Sequence, residues 1–206
     1  FHHLSNVESW TTDLSGLRPH QIANKGMVRT FQLTKSLAKM TVIDNMLLGA
    51  AEQKGESLRN ALLPSRWQKQ EKEILEKAEE LLERFKLSHM RDEYAATLSG
   101  GQRKLLEMAR ALMSEPKLIL LDEPMAGVNP VLVESLLVHI ENLRDEGVSV
   151  LFIEHDMDAI MGISDWIVVL AEGQVIAEGT PSDVSKNPAV IDAYLGSAIA
   201  EELKDV

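Results

Sequence analysis

Two runs, Leu98-Ser99-Gly100-Gly101-Gln102 and Leu118-Ile119-Leu120-Leu121-Asp122-Glu123-Pro124, decide how this chain reads, and one short helix joins them. In the first, Ser99 and Gln102 stand at the spacing of a capping box. Behind them Leu105, Ala109, Leu112 and Met113 recur at a helical period, which predicts a helix opening at this point. Gly100 and Gly101 carry no side chains, so a ligand can come close to the backbone. The free N–H groups of such a helix end suit an anion such as phosphate. Taken alone, Ser-Gly-Gly also describes an ordinary capped helix after a glycine turn. The second run narrows the choice. Pro116 closes the helical region, and Leu118 to Leu121 is a short continuous apolar segment, the pattern of a parallel strand buried on both faces. Asp122 and Glu123 follow at its C-terminal end, where open α/β sheets bind ligands. Adjacent strand residues point to opposite sides, so the two acids are expected to do different jobs. One would hold Mg²⁺, directly or through water; the other would polarise an attacking water as general base. A solvated acidic turn is the plainer alternative, commoner for one acid than for a pair closing a buried strand.

In order and separation these runs resemble the signature motif and the Walker B segment of ATP-binding-cassette ATPases. The resemblance implies an α/β fold: a P-loop NTPase-like core with a mostly parallel sheet, plus a helical subdomain. Other stretches extend it. Val28-Arg29-Thr30-Phe31-Gln32 resembles the Q-loop, whose Gln carbonyl oxygen reaches Mg²⁺ and the attacking water. Met125-Ala126-Gly127-Val128-Asn129-Pro130 resembles the D-loop at the dimer interface, and Asn129 with Pro130 makes a good helix start. Val148 to Ile153 reads as another buried strand, ending at Glu154 and His155. His155 falls where the family has its switch histidine, which contacts the γ-phosphate. Asp156 then caps a short helix.

On the same resemblance, Glu123 would be the base, Asp122 and Gln32 would manage Mg²⁺, and His155 would read the γ-phosphate. Ser99, Gly100, Gly101 and Gln102 would bind ATP held by a second subunit. The expected partners are a second cassette ATPase, as homo- or heterodimer, and membrane permease subunits, with a periplasmic or extracellular binding protein reached indirectly. Asn187-Pro188-Ala189-Val190-Ile191-Asp192-Ala193-Tyr194-Leu195-Gly196 resembles the C-terminal segment of importer ATPases for branched-chain amino acids. Arg29-Thr30-Phe31-Gln32 and Leu105-Leu106-Glu107-Met108-Ala109-Arg110-Ala111-Leu112 lean the same way. The function implied is ATP hydrolysis energising an importer, expected to be one for branched-chain amino acids, at the cytoplasmic face of the plasma or inner membrane. A related urea or lipopolysaccharide transporter, or a non-catalytic truncated cassette, is the alternative. A non-transport cassette protein of repair or translation is disfavoured, since long coiled-coil insertions and basic surfaces are missing.

Four segments are expected. Residues 1–33 are what remains of the N-terminal core up to the Q-loop, and 34–113 form the helical subdomain with the signature helix. Residues 114–180 form the core with Walker B, D-loop and H-loop, and 181–206 the C-terminal helices and tail. Within them Pro19 opens a short helix, Thr41 to Leu48 is helical, and Arg66 to Phe85 is an amphipathic helix. Trp166 to Ala171 and Gln174 to Ala177 flank Glu172-Gly173 as a hairpin. Pro181 and Pro188 each open a short helix.

Composition agrees. Lys and Arg total 21 against 32 Asp and Glu, a net charge of −11, which weighs against nucleic acid as a partner. The absence of cysteine excludes a disulfide framework. No apolar run approaches the roughly 18 residues of a membrane helix. A P-loop needs Gly-x-x-x-x-Gly-Lys-[Ser/Thr], and none of the 12 glycines is followed by Lys and then Ser or Thr. The chain opens on Phe1 and has only 31 residues ahead of Gln32. It is therefore expected to be N-terminally truncated relative to a working cassette, lacking the N-terminal strands and the P-loop. Alone it is expected to bind ATP poorly and to leave an apolar flank of its sheet uncovered.

Overall fold

Strand β2 (Leu118–Asp122) is the centre of a parallel sheet, with β1 (Met27–Arg29) on one side and β3 (Ser149–Ile153) on the other. The register pairs Arg29 with Leu120 and Asp122 with Ile153, so β2 and β3 end side by side. The computed structural model describes residues 13–30, 37–51, 53–56, 65 and 67–194. A helix α1 (Pro19–Ala23), opened by its proline, precedes β1.

Between β1 and β2 the described residues hold helices and no strand. Helix α2 (Val42–Leu47) is capped by Thr41, whose hydroxyl accepts the Asp44 N–H. Asn45 in its middle is fully buried and pins the preceding loop: its amide donates to the Leu37 and Thr41 carbonyls at 3.2 and 2.9 Å, and its oxygen accepts the Leu37 N–H. Burying an amide is tolerable because each polar atom has a partner. Helix α3 (Gln68–Arg84) buries Ala78, Leu81 and Leu82 and turns its Lys and Glu pairs to water. Helix α4 (Gly100–Leu112) buries Leu105, Leu106, Met108, Ala109 and Leu112 against α2, α3 and the sheet, so one continuous core runs from Val42 to Leu143.

After β2, helix α5 (Pro130–Asp145) crosses to β3 and buries Leu136, Ile140 and Leu143. Helix α6 (Met157–Ile163) starts at Asp156, whose carboxylate accepts from Asp158 and Ala159 N–H. A hairpin, β4 (Ile167–Ala171) and β5 (Gln174–Gly179), forms a separate antiparallel sheet. Helix α7 (Pro181–Val184) and a helical segment 188–194 pack Val184 and Val190 against Ile167 in a second small core.

Two expectations about the strands need correction. β2 is not buried evenly on both faces: Ile119 and Leu121 are inaccessible, while Leu118, Leu120 and Asp122 are half-buried. β3 is not a buried strand. Ser149, Leu151 and Ile153 face outward, with Leu151 and Ile153 53% and 59% exposed. The reason is position, since β3 pairs with β2 alone among the described strands. Val168, Leu170 and Val175 of the hairpin are exposed as well. The sheet thus presents apolar side chains that burial would stabilise.

His139 joins the helical region to α5. Its ring is buried, stacked on Phe85 with centroids 4.3 Å apart, and neither ring nitrogen has a hydrogen-bond partner. Burial lowers its pKa below the usual histidine value, and the nearby Arg84 and Lys86 cations lower it further. The folded state therefore resists protonation while the unfolded chain takes up a proton near pH 6.5. Stability should be constant above that pH and fall as pH drops below it, until the folded-state pKa is passed. Urea unfolding between pH 8 and pH 5 should show this slope, and His139→Phe should flatten it. An unchanged slope in that variant would assign the effect elsewhere.

Candidate active site at the ends of two strands

The expected capping box at Ser99 is formed. The Ser99 hydroxyl accepts the Gln102 N–H at 3.2 Å and the Gln102 side chain accepts the Ser99 N–H at 2.9 Å. Gly100 is exposed, and nothing would lie within 4 Å of a Cβ built on it. Gly101 differs. It is buried, and a Cβ there would stand 2.6 Å from Leu132 Cδ1 and 3.3 Å from Val128 Cγ1. A side chain at 101 would require the Leu132 and Val128 side chains to move, so close packing is one reason for a glycine here.

β2 ends at Asp122, and the backbone turns at once. Glu123 has φ +46°, in the left-handed region that non-glycine residues adopt infrequently. Strand alternation therefore does not set the direction of Glu123, as the sequence pattern had implied; this turn does. The Ala126 N–H closes the turn on the Glu123 carbonyl at 3.2 Å, and three hydrogen bonds from outside it hold it in place. The Glu123 N–H donates to the Ile153 carbonyl at 2.9 Å, and the Glu123 carbonyl accepts from Lys104 Nζ at 2.7 Å. The Met125 N–H donates to Glu154 Oε1 at 2.7 Å. The Glu154 side chain is 1% exposed, and its other oxygen lies 3.8 Å from His155 Nδ1. Burial lowers the Lys104 pKa, opposed by the charges of Glu154, Glu123 and Glu107.

Asp122 is 24% exposed and accepts from Arg29 Nη2 at 2.8 Å. Among the described residues no group of three or more His, Cys, Asp or Glu could hold a metal. Mg²⁺ binds through one or two carboxylates, waters and phosphate oxygens rather than a protein cage. Asp122 is one of the two residues expected to hold Mg²⁺. Gln32, the other expected ligand, lies outside the described residues.

The structure thus brings Asp122, Glu123 and His155 to one end of the sheet, with His155 two residues past β3 and its side chain 79% exposed. Ser99 stands five residues before Lys104 on the same helix, roughly 7 Å further along the axis at 1.5 Å per residue. Asn129 caps α5 beside it, accepting the Leu132 N–H at 3.0 Å. Sequence reading missed Arg29 as a partner of Asp122, and Lys104 and Glu154 as partners of the Glu123 turn. The sequence offered one signal for Glu154, an acid directly between an apolar strand and a candidate histidine.

A family model described as ABC transporter matches residues 5–126, more than half of the chain. The chain belongs to the ABC transporter family. A second model, described as branched-chain amino acid ATP-binding cassette transporter, matches residues 174–200 of this cassette. The cassette is 48% identical over 189 residues to the probable branched-chain amino acid transport ATP-binding protein LivG of Archaeoglobus fulgidus, covering 92% of this chain and 73% of the relative. It is 42% identical over 188 residues to the high-affinity branched-chain amino acid transport ATP-binding protein LivG of Escherichia coli K12, covering 90% and 73%. Among solved structures it resembles the ADP conformation of an ATP-binding cassette of an ABC transporter, with a TM-score of 0.73 and 41% identity over 90% of this chain and 74% of that one. A nucleotide-free ATP-binding cassette from an ABC transporter gives a TM-score of 0.72, also at 41% identity, over 89% and 74%. The α/β cassette fold expected from the two opening motifs is therefore the fold of this family.

Proposed function

We propose that this cassette is an ATP-hydrolysing subunit of an importer for branched-chain amino acids, the substrate class in the names of its relatives. The observation that carries the reading is the end of β2, where two carboxylates leave a strand buried on one face, beside the switch-position histidine. In this reading Glu123 accepts the proton of the attacking water, and Asp122 holds Mg²⁺ with help from Gln32. His155 donates to the γ-phosphate. Mg²⁺, when bound, supplies charge neutralisation across the phosphates. The capped end of α4, with Ser99, Gly100, Gly101 and Gln102, meets a nucleotide held by the second subunit of a dimer.

Arg29 gives Asp122 a cationic partner at 2.8 Å. Among the described residues no helix is long and apolar enough to cross a membrane. In this reading permease subunits attach the cassette to the membrane at its cytoplasmic face. Hydrolysis is assigned to a form of the polypeptide that carries a P-loop, because the phosphate cradle is not in this sequence. Calorimetric titration of the 206-residue chain with ATP and Mg²⁺ tests that assignment. The expected result is no saturation in the micromolar range. Micromolar affinity would show that phosphates are held by residues other than a P-loop.

A further inference from the structure

We propose that Lys104 and Glu154 are positioning residues that hold the Glu123 turn from two sides, in addition to the motif residues named above. The proposal rests on the reading of Glu123 as base. Its ground is the backbone at 123–125. A non-glycine residue at φ +46° is held against its own preference, so its neighbours must over-determine it.

Lys104 reaches across from α4 to the Glu123 carbonyl, and Glu154 reaches from the end of β3 to the Met125 N–H. Both contacts are 2.7 Å. A carboxylate only 1% exposed is costly unless it is hydrogen-bonded and faces a cation. Glu154 has the first from Met125, and Lys104 is the cation whose charge acts on it. The two residues thus hold the turn from opposite sides. The Glu154 carboxylate also adjoins His155, so one buried group touches the settings of both the base and the γ-phosphate contact. A lysine on the signature helix and an acid before the switch histidine therefore act on chemistry neither of them touches. They do so by fixing where the Glu123 side chain starts.

The test has two arms. In the 206-residue chain, hydrogen exchange of the Met125 amide should speed up about tenfold or more in Glu154→Leu, as a buried N–H loses its acceptor. Glu154→Gln keeps an oxygen acceptor and should recover most of that protection. It also keeps the shape of the site if the leucine variant folds poorly. In a P-loop-bearing form, Lys104→Met and Glu154→Leu should each lower kcat about 10- to 100-fold while KM for ATP stays unchanged. Glu154→Gln should again recover most of the loss. Unaltered Met125 exchange in Glu154→Leu would overturn the clamp. So would accelerated exchange with full kcat, provided Glu123→Gln abolishes turnover in parallel. Full turnover in Glu123→Gln would instead overturn the base reading, and the positioning role with it.

Discussion

Glu123→Gln in a P-loop-bearing form is expected to lower ATP turnover by about 10²- to 10⁴-fold, the range supplied by a positioned general base. The substitution is nearly isosteric and leaves the backbone bonds of Glu123 to Ile153 and Lys104 in place. What it removes is the ability to take a proton. ATP binding should therefore persist while hydrolysis stops, and the dimer should accumulate with ATP enclosed. Single-turnover kinetics with size-exclusion chromatography reads both outcomes. Undiminished turnover would remove Glu123 from the base role, leaving the acid pair as an electrostatic feature only.

The second large effect concerns stability. Phe85→Ala is expected to cost about 3–5 kcal/mol, the range for emptying an aromatic site in a packed core. Phe85 is almost completely buried at the end of α3 and stacks on His139 of α5. Beside it Arg84 pairs with Glu146 just past the end of α5, at 2.9 Å. Removing the ring would open a void where the helical region meets the core and expose a histidine that has no polar partner. Phe85→Leu retains much of the volume and should lose far less. Urea unfolding monitored by circular dichroism at neutral pH would separate the two. Equal midpoints for wild type and Phe85→Ala would mean that the two regions do not share a cooperative core.

Much of this was legible because local rules and tertiary structure agree. The Ser99–Gln102 box, the Asn129 and Asp156 caps and the Glu172-Gly173 hairpin turn all stand where side-chain chemistry placed them. The acid pair at the end of β2 was readable because a short apolar run, too brief for a helix and preceded by Pro116, is suited to a strand inside a sheet. Less legible were features set by distant contacts. Whether β3 is covered depends on which strand lies next to it, and an apolar pattern cannot report that, so Leu151 and Ile153 read as buried. The left-handed turn at Glu123 has no glycine to announce it; it depends on Lys104 and Glu154, which lie 19 residues before Glu123 and 29 residues after Met125. The close approach of Leu132 and Val128 to Gly101 is likewise a distant contact that the sequence pattern does not report.

The central claim is that the capped end of α4 in this chain and the P-loop of a second cassette enclose one nucleotide. Photoaffinity labelling tests it most directly, using ATP with a photoreactive γ-phosphate, this chain, and a P-loop-bearing partner whose own base is changed to glutamine. The account predicts label on the peptide spanning Leu98 to Arg103 of this chain, and only when both proteins are present. Label confined to the partner, or equal labelling of this chain by itself, would contradict it.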